Sequence, residues 1–140
     1  MSGQPLKARL EYSLLCDDVR VELGNKLSLM GLFRNIYFYS LPSSLLKFAV
    51  VNHWTGEGQY SSEVKILSPD RSKVVAQAQA APFVIEPNGF ADNITIFANV
   101  SFDREGGYPL QVYLNGVMVR ESQLTVTLIT PPSSPPSTIQ

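Results

Sequence analysis

Apolar and polar side chains alternate along most of this chain, most clearly between residues 94 and 114. Ile94, Ile96, Ala98, Val100 and Phe102 are spaced by Thr95, Phe97, Asn99 and Ser101. Beyond residues 103–107, Tyr108, Leu110, Val112 and Leu114 are spaced by Pro109, Gln111 and Tyr113. A period of two places successive side chains on opposite faces of a strand. Folding about residues 103–107 predicts an antiparallel hairpin that pairs Phe102 with Tyr108, Val100 with Leu110, Ala98 with Val112 and Ile96 with Leu114. The same register sets Phe97 opposite Tyr113 on the other face, flanked by Asn99 and Gln111.

Similar reasoning predicts a hairpin about residues 68–72, with Ile66 against Val74, Val64 against Ala76 and Ser62 against Ala78. Its Pro69-Asp70 pair favours a turn, because proline fixes φ and aspartate bonds nearby amides. Asn115-Gly116 is a strong two-residue hairpin signal, since both residues tolerate positive φ. It leads through residues 117–121 to a final strand near 123–129. Gly24-Asn25-Lys26 joins a strand ending near Leu23 to one beginning at Leu27, and residues 45–55 read as a central strand. Residues 36–39, "IYFY", fit a sheet edge or a crossing between sheets. About eight or nine short strands and no helical stripe predict an all-β fold, an antiparallel two-layer β-sandwich of immunoglobulin-like character. The domain is expected over residues 6–129, between a polar tail at 1–5 and a Pro/Ser-rich tail at 130–140.

Cys16-Asp17-Asp18 contains the only cysteine of the chain. Before it the apolar positions are even (Leu10, Tyr12, Leu14, Cys16), and after it they are odd (Val19, Val21, Leu23). A bulge or a corner between sheets produces such a change of phase. Aspartate suits the place because its carboxylate accepts from amides that have lost ladder partners. Cys16 then reads as a small core residue. A calcium site is not expected, because adjacent strand residues point apart and Asp70, Asp92 and Asp103 are scattered singly. One Cys and one His cannot close a zinc site.

The stretch "CDDVRVELGNKLSLMGLF", the later Pro42 and the terminal "GGYPLQVYLNG" together resemble a family of small bacterial proteins of unknown function. The resemblance covers most of residues 8–129 and implies a bacterial β-sandwich. It carries no catalytic residues across.

Composition narrows the function classes. Eleven basic and twelve acidic residues are dispersed, so no Lys/Arg cluster offers a nucleic-acid surface. No basic amphipathic stretch or long apolar run suggests a membrane partner. A lone cysteine needs no oxidising compartment, and the N-terminus lacks the pattern of a secretory signal, so a cytoplasmic setting is expected. His53, the single histidine, reads as a strand-end residue beside Trp54. A thiol dyad with Cys16 is disfavoured, because burial raises a thiol pKa. The glutamates show no spacing that selects a catalytic pair. "GEG" and "EGG" open no helix and do not cradle phosphate. No cofactor and no catalysis are expected.

Binding remains. Phe97 and Tyr113, with Asn99 and Gln111, form the expected contact surface of a protein-interaction or accessory module. Exposed sheet edges make a homodimer a reasonable expectation. The alternative is a carbohydrate-binding module stacking sugars on Phe97 and Tyr113 with Trp54.

Overall fold

The computed structural model describes residues 7–132. They form seven strands: β1 (Ala8–Glu22), β2 (Lys26–Phe33), β3 (Asn35–Phe38), β4 (Ser43–Leu67), β5 (Val74–Phe102), β6 (Gly106–Leu114) and β7 (Val117–Leu128). The tail expected at 1–5, and the tail expected at 130–140 beyond its first three residues, lie outside the described residues. Hydrogen-bonded neighbours run β2-β1-β4-β6-β7-β3, with β5 beside β4.

β4 runs through both layers. Residues 49–56 lie between β1 and the C-terminal half of β5, whereas residues 62–66 lie between β6 and the N-terminal half of β5. The crease between these halves falls at Gly56 and Gly58, with φ of 130° and 120°. Side chains other than glycine rarely adopt that backbone, and a Cβ at Gly56 would collide with the Lys7 carbonyl. Opposite the crease, Glu86, Pro87 and Asn88 of β5 face Glu57 alone. The extra residues lengthen one strand and bend the pair.

The curled sheet therefore closes on itself as two layers around one core. Phe48, Val50 and Trp54 of the first layer share a buried cluster with Val64, Ile66, Leu110, Val112, Leu124 and Val126 of the second. Burying side chains of this size stabilises the fold by about 1.5–3 kcal/mol each. Tyr108, near the start of β6, donates its hydroxyl to the Arg104 carbonyl at 2.6 Å. Its ring meets Phe102 edge-on, with centroids 5.1 Å apart. A buried tyrosine bonding back to the preceding backbone in this way is a hallmark of immunoglobulin-type sandwiches.

The all-β, two-layer expectation matches the structure, but several details differ. There are seven strands rather than eight or nine, because β4 and β5 each run unbroken where two elements were expected. One pair, β3 with β7, is parallel. The hairpin expected over residues 94–114 is absent. Val100 pairs with Leu45 and Ala98 with Lys47, while Leu110 pairs with Ile66 and Ser122. Residues 103–105 cross between layers, so Phe102 and Tyr108 meet through side chains across the core. Alternation reports which face is buried, and it does so equally for a hairpin and for an arch that bridges two layers.

The hairpin about residues 68–72 forms with its register displaced by two, Ile66 facing Ala76 and Val64 facing Ala78. Ser68 and Lys73 close a wider turn: the Ser68 amide donates to the Lys73 carbonyl and the Lys73 amide to the Ser68 hydroxyl, with Asp70 accepting from Ser68 and Ser72 inside it. An even displacement keeps the same faces buried. Asn115-Gly116 and Gly24-Asn25 turn as expected, all four residues at positive φ. Of residues 36–39, Ile36, Tyr37 and Phe38 belong to an edge strand, β3, entered directly after the chain crosses layers at Arg34.

Candidate interaction face

The outer face of the first layer is built from rows of three residues across β1, β4 and β5. Tyr12, His53 and Asp92 form one row, Leu14, Val51 and Ile94 the next, and Cys16, Ala49 and Ile96 a third. Thr55 and Phe90 extend the face at one end, and Lys47 and Ala98 at the other. The matching inward positions of β4, namely Phe48, Val50 and Trp54, lie in the core.

One side of this face is covered. Cys16, Ala49 and Val51 are fully buried beneath Val19, Leu27 and Leu29 of the β1–β2 hairpin. Cys16 and Val19 share this cluster although they stand an odd number of positions, three, apart, so the side-chain phase changes across Asp17-Asp18. Pairing with β4 stops at Cys16, and β1 continues beside β2 alone. Asp18 accepts from the Val19 amide at 2.9 Å and from Lys47 Nζ at 3.1 Å. The bond from Lys47, with that from Val19, lowers the Asp18 pKa. Asp17 instead lies over Gly31, whose φ is +70° and where a Cβ would strike the carboxylate. The two aspartates thus diverge. Burial, and then the Asp17 charge, pushes the Cys16 thiol pKa up.

The side toward β5 is open. Phe90 is 65% exposed, Ile96 49% and Ile94 37%. Beside them Tyr12 stacks on His53 at 4.8 Å and 4°, and Phe90 lies 5.3 Å from the same imidazole. His53 Nδ1 is 2.6 Å from Asp92 Oδ1, which fixes the ring orientation. Burial, followed by the Asp92 charge, raises the Tyr12 pKa. His53 and Cys16 share the face but stand four β4 residues apart in register, about 13 Å, too far for a dyad.

The outer face of the second layer is polar. Arg71 forms a two-pronged bond to Glu121 at 2.9 and 2.7 Å, and Glu121 also accepts from Gln111. The Tyr113 hydroxyl donates to Gln111, and Lys65 Nζ lies 4.8 Å from the Tyr113 ring centroid. The surface expected around Phe97 and Tyr113 is not assembled. Phe97 is 6% exposed and packs on Phe48 at 5.3 Å, while Tyr113 lies in the other layer. The physical reason is Asn99, at φ +54°, which reverses the side-chain phase of β5. Phe97 therefore turns inward, and Ile94 and Ile96 turn outward. Gln111 is buried within the polar network, Asn99 is exposed, and Trp54 is fully buried.

Sequence reasoning missed the face formed by Tyr12, His53, Phe90 and Asp92. The available signal was an alternation that begins at Phe90 rather than Ile94. A cleft of about 260 Å³ opens between the layers, lined in part by Ser13, Leu15, Phe33, Arg34, Leu110 and Gln123. It includes neither His53 nor Cys16 nor a carboxylate. Among the described residues, no three His, Cys, Asp or Glu side chains gather as metal ligands.

Among solved structures, the chain is similar to the alkylpurine DNA glycosylase AlkC of Pseudomonas fluorescens, bound to DNA containing an abasic-site analogue. The TM-score is 0.56 at 5% identity, covering 86% of this chain and 30% of that one. The likeness is one of fold, and this chain spans under a third of that enzyme's length. An immunoglobulin-like protein from Pseudomonas aeruginosa superposes with a TM-score of 0.41 at 13% identity, covering 89% of this chain and 99% of that one. No curated protein matches the sequence. The signature of a family of unknown function, DUF6941, matches residues 11–127, and the chain belongs to that family.

Proposed function

We propose that this chain is a non-catalytic protein-interaction module of the bacterial cytoplasm, and that its partner docks on the open side of the first layer. One observation carries the reading. Phe90, Ile94 and Ile96 stand exposed on a face that the β1–β2 hairpin covers only up to Val51. Contiguous apolar side chains rimmed by polar ones mark interaction sites more often than scattered exposed residues do. The rings of Tyr12 and Phe90 about His53 supply stiff contact area at low entropic cost. The occupant that fits is an extended, mainly apolar polypeptide segment, because among the described residues β5 pairs with β4 alone and leaves its other backbone edge open here. A lone buried thiol suits a reducing compartment.

The test is photocrosslinking in the native cells, with a photoreactive residue placed singly at positions 90, 96 and 77. Gln77 lies exposed on the other layer and serves as the control. Discrete adducts at 90 and 96, absent at 77, are expected. Indistinguishable patterns at all three positions would remove the reading.

A further inference from the structure

We propose that the free edge of β5 pairs with the same edge of a second copy, antiparallel, about a two-fold axis at Asn93. This deepens the proposed interaction module and rests on it. Among the described residues β5 hydrogen-bonds to β4 alone, so its other edge is open along the strand. Proteins protect such edges with prolines, charges, bulges or short length. The N-terminal half of β5 carries Pro82, Pro87 and the left-handed Asn88. The edge strand β3 is only four residues long, and β2 has Lys26 and the left-handed Gly31. Residues 89–102 have no proline, lysine, arginine or glutamate. Their single charge, Asp92, is already engaged by His53.

The geometry selects the register. Asn88 and Asn99, with φ of 59° and 54°, bound a regular segment at residues 89–98 whose centre lies between Asn93 and Ile94. A two-fold axis perpendicular to the sheet keeps both outer faces on one side and pairs residues of the same parity. With Asn93 on the axis, Phe90 of each copy opposes Ile96 of the other, an aromatic–β-branched pair of the kind that stabilises sheets. Asp92 then opposes Ile94, and the two like charges do not face each other. Placing the axis at Asp92 would set those carboxylates together. Pairing buries only several hundred Å² per copy, below the roughly 800 Å² of a standard interface, so the association is weak and reversible.

Sedimentation velocity of the full chain over roughly 1–200 μM tests the proposal, a range suited to weak association. The expected result is a concentration-dependent rise from 15.5 kDa toward twice that mass. Phe90→Lys and Ile96→Lys, both at exposed positions, should abolish the rise without changing Tm. Val74→Lys, exposed on the other half of the edge, should not. The register is tested by oxidising a Phe90→Cys/Ile96→Cys variant, which should form a covalent dimer, whereas Phe90→Cys alone should not. A monomer at every concentration overturns the proposal, as does a dimer that survives both lysine substitutions or is lost equally in Val74→Lys. If the chain is monomeric but crosslinks to another protein at positions 90 and 96, the self-pairing fails and the module reading stands.

Discussion

Trp54 donates its indole N–H to Asn93 Oδ1 at 2.6 Å, inside the first layer, and the same oxygen accepts from Ser62 Oγ at 2.9 Å. One side chain on β5 thus satisfies two donors from opposite sides of the β4 crease. Replacing Asn93 with leucine leaves a buried N–H without a partner, at an expected cost of about 2 kcal/mol in urea unfolding. Trp54 is the only tryptophan and has no exposed surface, so its emission reports the change directly. An unchanged unfolding midpoint would show that the bond contributes nothing net.

Tyr108→Phe keeps the ring against Phe102 and removes the hydroxyl that donates to the Arg104 carbonyl and accepts, at 3.4 Å, from the Arg104 amide. The expected loss is about 1–2 kcal/mol by thermal or urea unfolding. Tyr108→Leu should cost more, because the aromatic contact goes as well.

At Gly31 two effects are separable. Gly31→Ala meets both the positive φ and the carboxylate of Asp17. Left-handed backbone alone costs about 1–2 kcal/mol for a residue with a Cβ. Gly31→Ala should therefore lose at least that much, and adding Asp17→Ala should recover part of the loss. The double-mutant cycle measures the recovered part, and strict additivity would refute the proposed collision.

Glu121 contributes a pH-dependent ion pair to the second layer's outer face. Bonds from Arg71 and Gln111 hold its pKa down to about 2, against an ordinary 4.5. A depressed carboxylate pKa contributes stability that is present above the unfolded value and disappears as pH falls through the folded one. The wild type should lose its advantage over Glu121→Gln between about pH 4.5 and 2, read by urea midpoints along the pH series. A constant difference across that window would contradict the assignment. Because the group is exposed, added salt should shrink the effect.

Turns and buried positions were legible in the sequence where local chemistry decides them. Asn115-Gly116 specifies its own hairpin because both residues accept positive φ. Val100, Phe102, Tyr108, Leu110, Val112 and Leu114 are buried as their alternation implies. Strand partners were not legible, since a buried face says nothing about which backbone lies alongside. The candidate surface failed at one residue. Asn99 in the left-handed region shifts the phase of β5, which sends Phe97 into the core and Ile94 and Ile96 out. Asparagine tolerates that conformation without announcing it. His53 was expected at a strand end, whereas it lies inside β4, and its stacking between Tyr12 and Phe90 depends on pairings that only the fold supplies.

The crease at Gly56 and Gly58 has a consequence for cooperativity. Both layers take their central strand from one uninterrupted run of backbone, so neither can peel away while the other stays paired. A slip of one residue in either half would be transmitted through the crease as a face reversal in the other. The two layers therefore behave as a single foldon, and unfolding followed at Trp54 in the first layer should coincide with unfolding followed at Tyr108 in the second.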